Sequence, residues 1–113
     1  MEEIWKDIEG YEGKYQVSNL GRVRSLNYHR MGITKLLKAR KDKDGYNMAF
    51  LVRSGYNRPV GVHRLVAQAF IPNPNNYPCV NHKNEVKDDN RVENLEWCTV
   101  RYNTLYGTGV QRT

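Results

Sequence analysis

The sequence predicts an α+β chain: a small antiparallel sheet in the first half, then one helix, then a strand–loop–strand–helix unit. Three observations predict it. Tyr46, Met48, Phe50 and Val52 recur with period two, the repeat of a β-strand. Val62, Leu65, Val66, Ala69 and Phe70 then change the period to that of a helix. Finally, Thr99 stands where an N-cap is needed and Gly107 where a C-terminal stop is needed, so a short last helix is expected over residues 100–106. At 113 residues the chain suits one domain better than two.

Residues 4–26 alternate weakly and are punctuated by Gly10, Gly13 and Gly21. Tyr15 and Val17, then Val23 and Ser25, fit short strands around the turn Ser18-Asn19-Leu20-Gly21. Residues 35–41 are expected to form another short strand. Asp44-Gly45 is a hairpin turn signal ahead of the period-two stripe. Gly55 marks the next turn, and residues 59–62 can pair back as an edge strand. Pro72 stops the helix of residues 63–70. Residues 73–78 read as a loop, 79–82 as a strand, 83–91 as a polar loop and 94–98 as a second strand. Residues 108–113 are expected to fray. Trp5 and Trp97 sit beside apolar residues in strand-like stretches, so both are expected to anchor the core rather than stack on bases.

Composition excludes several classes. The longest apolar runs are only a few residues, so no transmembrane helix is expected. The start Met1-Glu2-Glu3-Ile4-Trp5 is acidic and has no apolar h-region, so no signal peptide is expected and the chain reads as cytoplasmic. Cys79 and Cys98 make neither a disulfide framework nor a C-x-x-C zinc pair and read as reduced thiols. Net charge is +6. Arg22, Arg24, Arg30, Lys35, Lys38, Arg40, Lys41 and Lys43 are interrupted only by Asp42. A polyanion partner is the natural inference, with an ordinary solvated surface as the alternative.

The last forty residues hold the sharpest constellation. Asn81 and His82 end a predicted strand, Asn94 opens the next, and Asn103 lies on the helix that follows. A hairpin packed on a helix can aim such groups at one hard cation, and a histidine near neutral pKa can take a proton from water, as phosphodiester hydrolysis requires. Asn is also common in loops and caps, and spacing alone leaves that structural role open.

Val80-Asn81-His82-Lys83, then Asp89-Asn90-Arg91-Val92-Glu93-Asn94-Leu95-Glu96-Trp97, then Asn103, resembles the HNH nuclease motif. The stretch from Trp5 to Asn19, followed by Gly21-Arg22-Val23-Arg24-Ser25, is similar to the N-terminal module of phage HNH homing endonucleases. Asp44-Gly45-Tyr46 and Val62-His63-Arg64-Leu65-Val66-Ala67 also match that group, so the resemblance spans roughly residues 4–106. It implies a ββα-metal hairpin and helix behind a small antiparallel sheet that approaches DNA. It implies that His82 is the general base, that Asn81 and Asn103 are ligands of Mg²⁺ or Mn²⁺, and that Asn94 orients His82 through a hydrogen bond and braces the fold. Two departures stand out. Position 81 is often Asp in close relatives that nick DNA, while other family members carry Asn there, and neutral Asn is the weaker Mg²⁺ ligand, whether natural or inactivating. The loop after His82 usually reads Asp-Gly and here reads Asn84-Glu85.

His63, beside the apolar stripe of its helix, is expected to make a structural hydrogen bond or to lie near the phosphate rather than to act in catalysis. His29, in a polar loop, is given no role. Asp88 and Asp89 are read as solvated or capping groups rather than metal ligands. Arg22, Arg24, Lys35, Lys38, Arg40, Lys41 and Lys43 are the candidates for phosphate contacts, which position a protein without reading sequence. The expected organisation is an N-terminal DNA-binding module over residues 1–60 and an HNH motif with its preceding helix over 61–113, as separate modules or one compact domain. The expected function is a metal-dependent endonuclease on double-stranded DNA, a monomer or weak dimer that nicks one strand. The rivals are a non-catalytic DNA-binding module on the same scaffold and an RNA-binding protein, the latter without the aromatic stacking motifs of the common RNA modules. Longer relatives carry a C-terminal helix-turn-helix, which lies beyond the stretch matched here.

Overall fold

A computed structural model describes residues 2–28 and 30–107 of the chain. His29 and the tail expected to fray over residues 108–113 lie outside the described residues. The architecture is α+β, with three small antiparallel sheets and two α-helices among the described residues. None of those helices is long and apolar enough to cross a membrane.

The first sheet is an antiparallel meander of β1 (Trp5–Asp7), β2 (Tyr15–Ser18), β3 (Val23–Tyr28) and β4 (Ile33–Leu36). Its β2–β3 turn forms because the Ser18 hydroxyl accepts from the backbone N–H groups of Leu20 and Arg22, while Gly21 takes a φ of 87° that a side chain would resist. The second sheet holds β5 (Arg40–Lys41), β6 (Asn47–Arg53) and β7 (Tyr56–Gly61). The single strand expected over residues 35–41 is therefore two. The chain leaves the first sheet after Leu36, Leu37 N–H bonds back to the Val23 carbonyl at 2.8 Å, and the next strand joins a different sheet. Asp42 organises the β5–β6 hairpin, its carboxylate accepting from the N–H groups of Asp44 and Tyr46.

The β6 strand is where the period-two stripe predicts it, but the stripe faces outward. Ala49 and Leu51 are buried, whereas Phe50 and Val52 are exposed. Both alternate sets on this strand are apolar, so pattern alone does not select the inner one. The smaller set packs under α1 (Val62–Phe70), which buries Val62, Leu65, Val66 and Ala67. Ile71 N–H bonds to the Ala67 carbonyl at the helix end, just before Pro72.

The third sheet pairs β8 (Cys79–His82) with β9 (Leu95–Cys98), and α2 (Val100–Leu105) follows at once. Thr99 caps α2 as expected, its hydroxyl accepting from Tyr102 N–H at 3.0 Å. Asn94 does not open β9; it closes a 3-10 turn, Val92–Asn94, immediately before it. The two free thiols, Cys79 and Cys98, stand opposite each other across this hairpin. One buried cluster joins the first sheet (Val17, Val23), β6 (Leu51), α1 (Val66), β8 (Val80) and β9 (Leu95). Trp97 packs against it and donates its indole N–H to the Ile71 carbonyl at 2.9 Å. Trp5, expected as a core anchor, instead lies half-buried at the edge of the sheet with the Arg24 guanidinium 4.1 Å from its ring centre.

Candidate active site

The pleat of the β8–β9 hairpin sorts the site. Neighbouring residues of a strand point to opposite faces, so Asn81 and His82 diverge. Asn81 lies opposite Glu96, and His82 opposite Leu95. On one face the Asn81 side-chain N–H donates to Glu96 Oε2 at 2.8 Å, and the Tyr102 hydroxyl donates to the same oxygen at 3.2 Å. On the other face His82 is 5% exposed, with Nε2 2.8 Å from Asn90 Oδ1. Its ring packs against His63 and Tyr46, with centres 5.2 and 5.8 Å away, and Tyr46 and His63 complete the triangle at 5.2 Å.

The partner of the His82 side chain is thus Asn90, and the expectation that Asn94 would supply that bond is corrected. Asn94 braces the loop instead. Its side-chain nitrogen donates to Asn84 Oδ1 at 2.9 Å and to the Asp89 carbonyl at 2.8 Å, and its Oδ1 accepts from Asn84 N–H at 3.0 Å. The reason is the path of residues 83–91, which folds back so that Asn90 reaches the ring while Asn94 sits beneath the turn. Glu85 takes a φ of 65°, the left-handed region that a glycine would enter without strain.

Contacts from the first half hold this loop. Lys41 pairs with Asp88 at 2.5 Å, Lys87 donates to the Asp44 carbonyl at 2.9 Å, and Val92 N–H bonds to the Asn19 carbonyl at 2.9 Å. Gly21 comes so close to Asn90 that a Cβ at position 21 would lie 2.8 Å from the Asn90 Cβ and 2.9 Å from its carbonyl oxygen. Asp89 is taken by Arg91 and Asn84, which agrees with its reading as a loop group.

Burial pushes the His82 imidazole below its usual range, against the Asn90 bond and the nearby Asp89 and Asp88 carboxylates. His63 is pushed down to about 4, chiefly by burial and then by His82 and Arg64. Both rings are therefore neutral at pH 7. His63 Nδ1 and Asn90 Nδ2 are buried without a hydrogen-bond partner among the described residues.

No group of three His, Cys, Asp or Glu side chains is arranged to hold a metal ion among the described residues. The donors that the hairpin and α2 do offer are oxygens. With its nitrogen committed to Glu96, Asn81 has its amide oxygen left, and Asn103 is half-buried on α2 beside Tyr102. Such a set suits a hard cation, Mg²⁺ or Mn²⁺, rather than a thiolate- or imidazole-seeking one. The helix is tied to the hairpin at both ends, by Tyr102 to Glu96 and by the Tyr106 hydroxyl to the Lys83 carbonyl at 2.6 Å. Asn90, Glu96, Tyr102, Tyr106 and Tyr46 escaped the sequence reading. The two tyrosines were accessible from their i, i+4 spacing; the pairing of Glu96 with Asn81 follows from the strand register, which the expected bounds 79–82 and 94–98 do not give.

The basic candidates do not form one free cluster. Arg22 is engaged with the Glu3 carboxylate, which it holds at about 2. Arg24 bonds Gln16 and covers Trp5, and Lys41 is paired with Asp88. Lys35 lies over the Tyr28 ring and Arg40 over the Phe50 ring. Lys38 and Lys43 are exposed and make no ion pair among the described residues. Lys35, Lys38 and Arg40 line one groove with Tyr28, Leu36 and Phe50, so the outward stripe of β6 forms part of a basic, aromatic surface.

Comparison with known proteins finds matches along most of the chain. Residues 3–51 match the NUMOD4 motif and residues 60–105 match the HNH endonuclease family. The DNA endonuclease I-HmuI of Bacillus phage SP01 is 44% identical over 99 residues, covering 88% of this chain and 54% of that protein. The uncharacterized HNH endonuclease L245 of Acanthamoeba polyphaga mimivirus is 40% identical over 92 residues, covering 81% of this chain and 26% of that protein. The solved structure of the HNH homing endonuclease I-HmuI, a study of DNA binding and cleavage, superposes with a TM-score of 0.77 and covers 91% of this chain and 55% of that one. The chain thus spans about a quarter to about half the length of these relatives. It carries a NUMOD4 motif in its first half and an HNH endonuclease segment in its second, the two together matching most of its length.

Proposed function

We propose that the chain is a metal-dependent DNA endonuclease of the homing type that hydrolyses one phosphodiester bond per site and so nicks one strand. The observation that carries this reading is the bond between His82 Nε2 and Asn90 Oδ1. With Asn90 Oδ1 as acceptor, Nε2 keeps its proton and Nδ1 carries the lone pair. Burial keeps the ring neutral, as a general base must be before it acts. His82 then takes the proton of the attacking water, while Asn90 fixes the ring and Asn94 fixes the loop that brings Asn90 to it. Asn81 and Asn103 would hold Mg²⁺ or Mn²⁺, which when bound offsets charge on the scissile phosphate and stabilises the leaving oxygen.

The groove of Lys35, Lys38 and Arg40 is the proposed path of the phosphate backbone. The chain would act on double-stranded DNA in the cytoplasm of a host cell, as a monomer or weak dimer. The relatives' names support the nuclease reading: I-HmuI is a DNA endonuclease, and its solved structure concerns DNA binding and cleavage. The second reading, a DNA-binding module without cleavage, draws on the neutral Asn81. Supercoiled plasmid incubated with Mg²⁺ or Mn²⁺ separates the two. Relaxed circles that disappear with EDTA support the nuclease; plasmid bound but never relaxed supports the binding module.

A further inference from the structure

Asn81 raises a question that the motif does not answer. A neutral amide is a weaker ligand for a hard cation than a carboxylate, whose charge is the larger part of what such an ion seeks. In this chain a carboxylate is present on the same face, one strand away. Glu96 is the register partner of Asn81, and residues directly opposite in an antiparallel pair sit side by side. Its Oε2 accepts from both the Asn81 amide and the Tyr102 hydroxyl, and Oε1 accepts no hydrogen bond among the described residues.

Resting on the nuclease reading above, we propose that Glu96 is the positioning residue of the metal site. It turns the Asn81 amide so that its oxygen faces the cation, and it supplies the negative charge that position 81 lacks. Three features of the structure meet here. The amide has two ends, and the bond at 2.8 Å commits the nitrogen to Glu96. The carboxylate is itself held by Tyr102, the residue before Asn103, so one oxygen links the ligand-bearing strand to the ligand-bearing helix. Asn also becomes the compatible residue at position 81. An Asp there would replace an N–H···O contact with two carboxylates in the same space, and like charges so close cannot both ionise without a cation between them. The charge of the pair thus sits across the hairpin from the amide, at position 96.

The test uses the whole chain and two readouts. Mn²⁺ binding to the DNA-free protein is followed by the loss of the free-ion electron paramagnetic resonance signal, and plasmid nicking is measured against Mg²⁺ concentration. Glu96→Gln keeps an oxygen to accept from Asn81 and Tyr102 but removes the charge. It should raise the half-saturating concentration of both ions about 10- to 100-fold, the range for losing a group that supports a metal ligand. The rate at saturating Mg²⁺ should change far less. Asn81→Asp combined with Glu96→Gln should restore the metal dependence. Asn81→Asp alone should melt earlier than the double variant in EDTA and recover on adding Mn²⁺. If Glu96→Gln leaves both metal dependences unchanged, the proposal is overturned while the nuclease reading stands. A wild type that neither binds Mn²⁺ nor nicks overturns that reading instead. Should Glu96→Gln fail to fold, the comparison of Asn81→Asp with the double variant decides, and equal melting in EDTA overturns the proposal.

Discussion

Acidification should destabilise this protein through the histidine pair behind the hairpin, and His63→Phe should remove most of that sensitivity. The His63 ring is enclosed by Tyr46, His82 and Gly61; a Cβ at Gly61 would lie 2.8 Å from its Cε1. Burial pushes the imidazole from 6.5 down to about 4, with help from His82 and Arg64 and opposition from Asp42. Between those values the unfolded chain holds a proton that the folded chain does not. Stability from this group is therefore complete above pH 6.5 and is lost as pH falls toward 4. A shift of this size corresponds to about 3 kcal/mol, and His82, lowered as well, acts in the same direction. Phe keeps a ring in the cluster and removes the titration. Urea unfolding followed by tryptophan fluorescence, from about pH 7 to about pH 4, measures the difference, and the variant should lose about 3 kcal/mol less over that span. Glu3 and Asp89, both held at about 2, act mainly below this window, where an ordinary carboxyl is protonated only in the unfolded chain. Parallel curves for wild type and variant would refute the argument.

Other consequences follow from the same contacts. Asn90→Ala leaves the buried His82 Nε2–H without its acceptor, so stability should fall by about 1–3 kcal/mol and cleavage should fall with it; urea titration and plasmid nicking read the two effects. Gly21→Ala puts a methyl group 2.8 Å from Asn90 at a φ of 87°, and should cost at least about 1–2 kcal/mol while displacing the partner of His82; the check is whether nicking is lost below the melting temperature. For DNA affinity, Lys38→Ala with Arg40→Ala should flatten the slope of log K against log salt by about 2 units if both meet phosphates, and adding Lys41→Ala should flatten it little further because Asp88 already neutralises that lysine. A salt titration with a labelled duplex measures both.

The parts of the fold that sequence makes legible are those with local causes. The stripe of α1, the Ser18–Gly21 turn and the Thr99 cap each depend on residues within a few positions, and each lies where the pattern puts it. The face of β6 is not a local property. Met48, Phe50 and Val52 compete with Ala49 and Leu51, and only the arrival of α1 on the smaller set decides between them. The division of residues 35–41 between two sheets is equally a matter of tertiary pairing. In the site, the motif singles out Asn81 and His82, and the pleat that sends them to opposite faces follows from their adjacency. Which asparagine reaches His82 does not, because it depends on the path of residues 83–91, and that path is held by Lys41, Asp44, Asn19 and Gly21 from far along the chain. The basic run divides for a related reason. Its members are close in sequence, but Arg22 and Lys41 are committed to Glu3 and Asp88, while Lys35, Lys38 and Arg40 line one groove.

In the proposed function, His82, held neutral and oriented by Asn90, is the base of a phosphodiester hydrolase. Single-turnover nicking of a labelled supercoiled plasmid by wild type and His82→Ala, at saturating Mg²⁺ and with binding measured in parallel, tests it most directly. The rate should be at least ~100-fold lower in the variant, with DNA affinity nearly unchanged. Nicking at close to the wild-type rate by His82→Ala would contradict it.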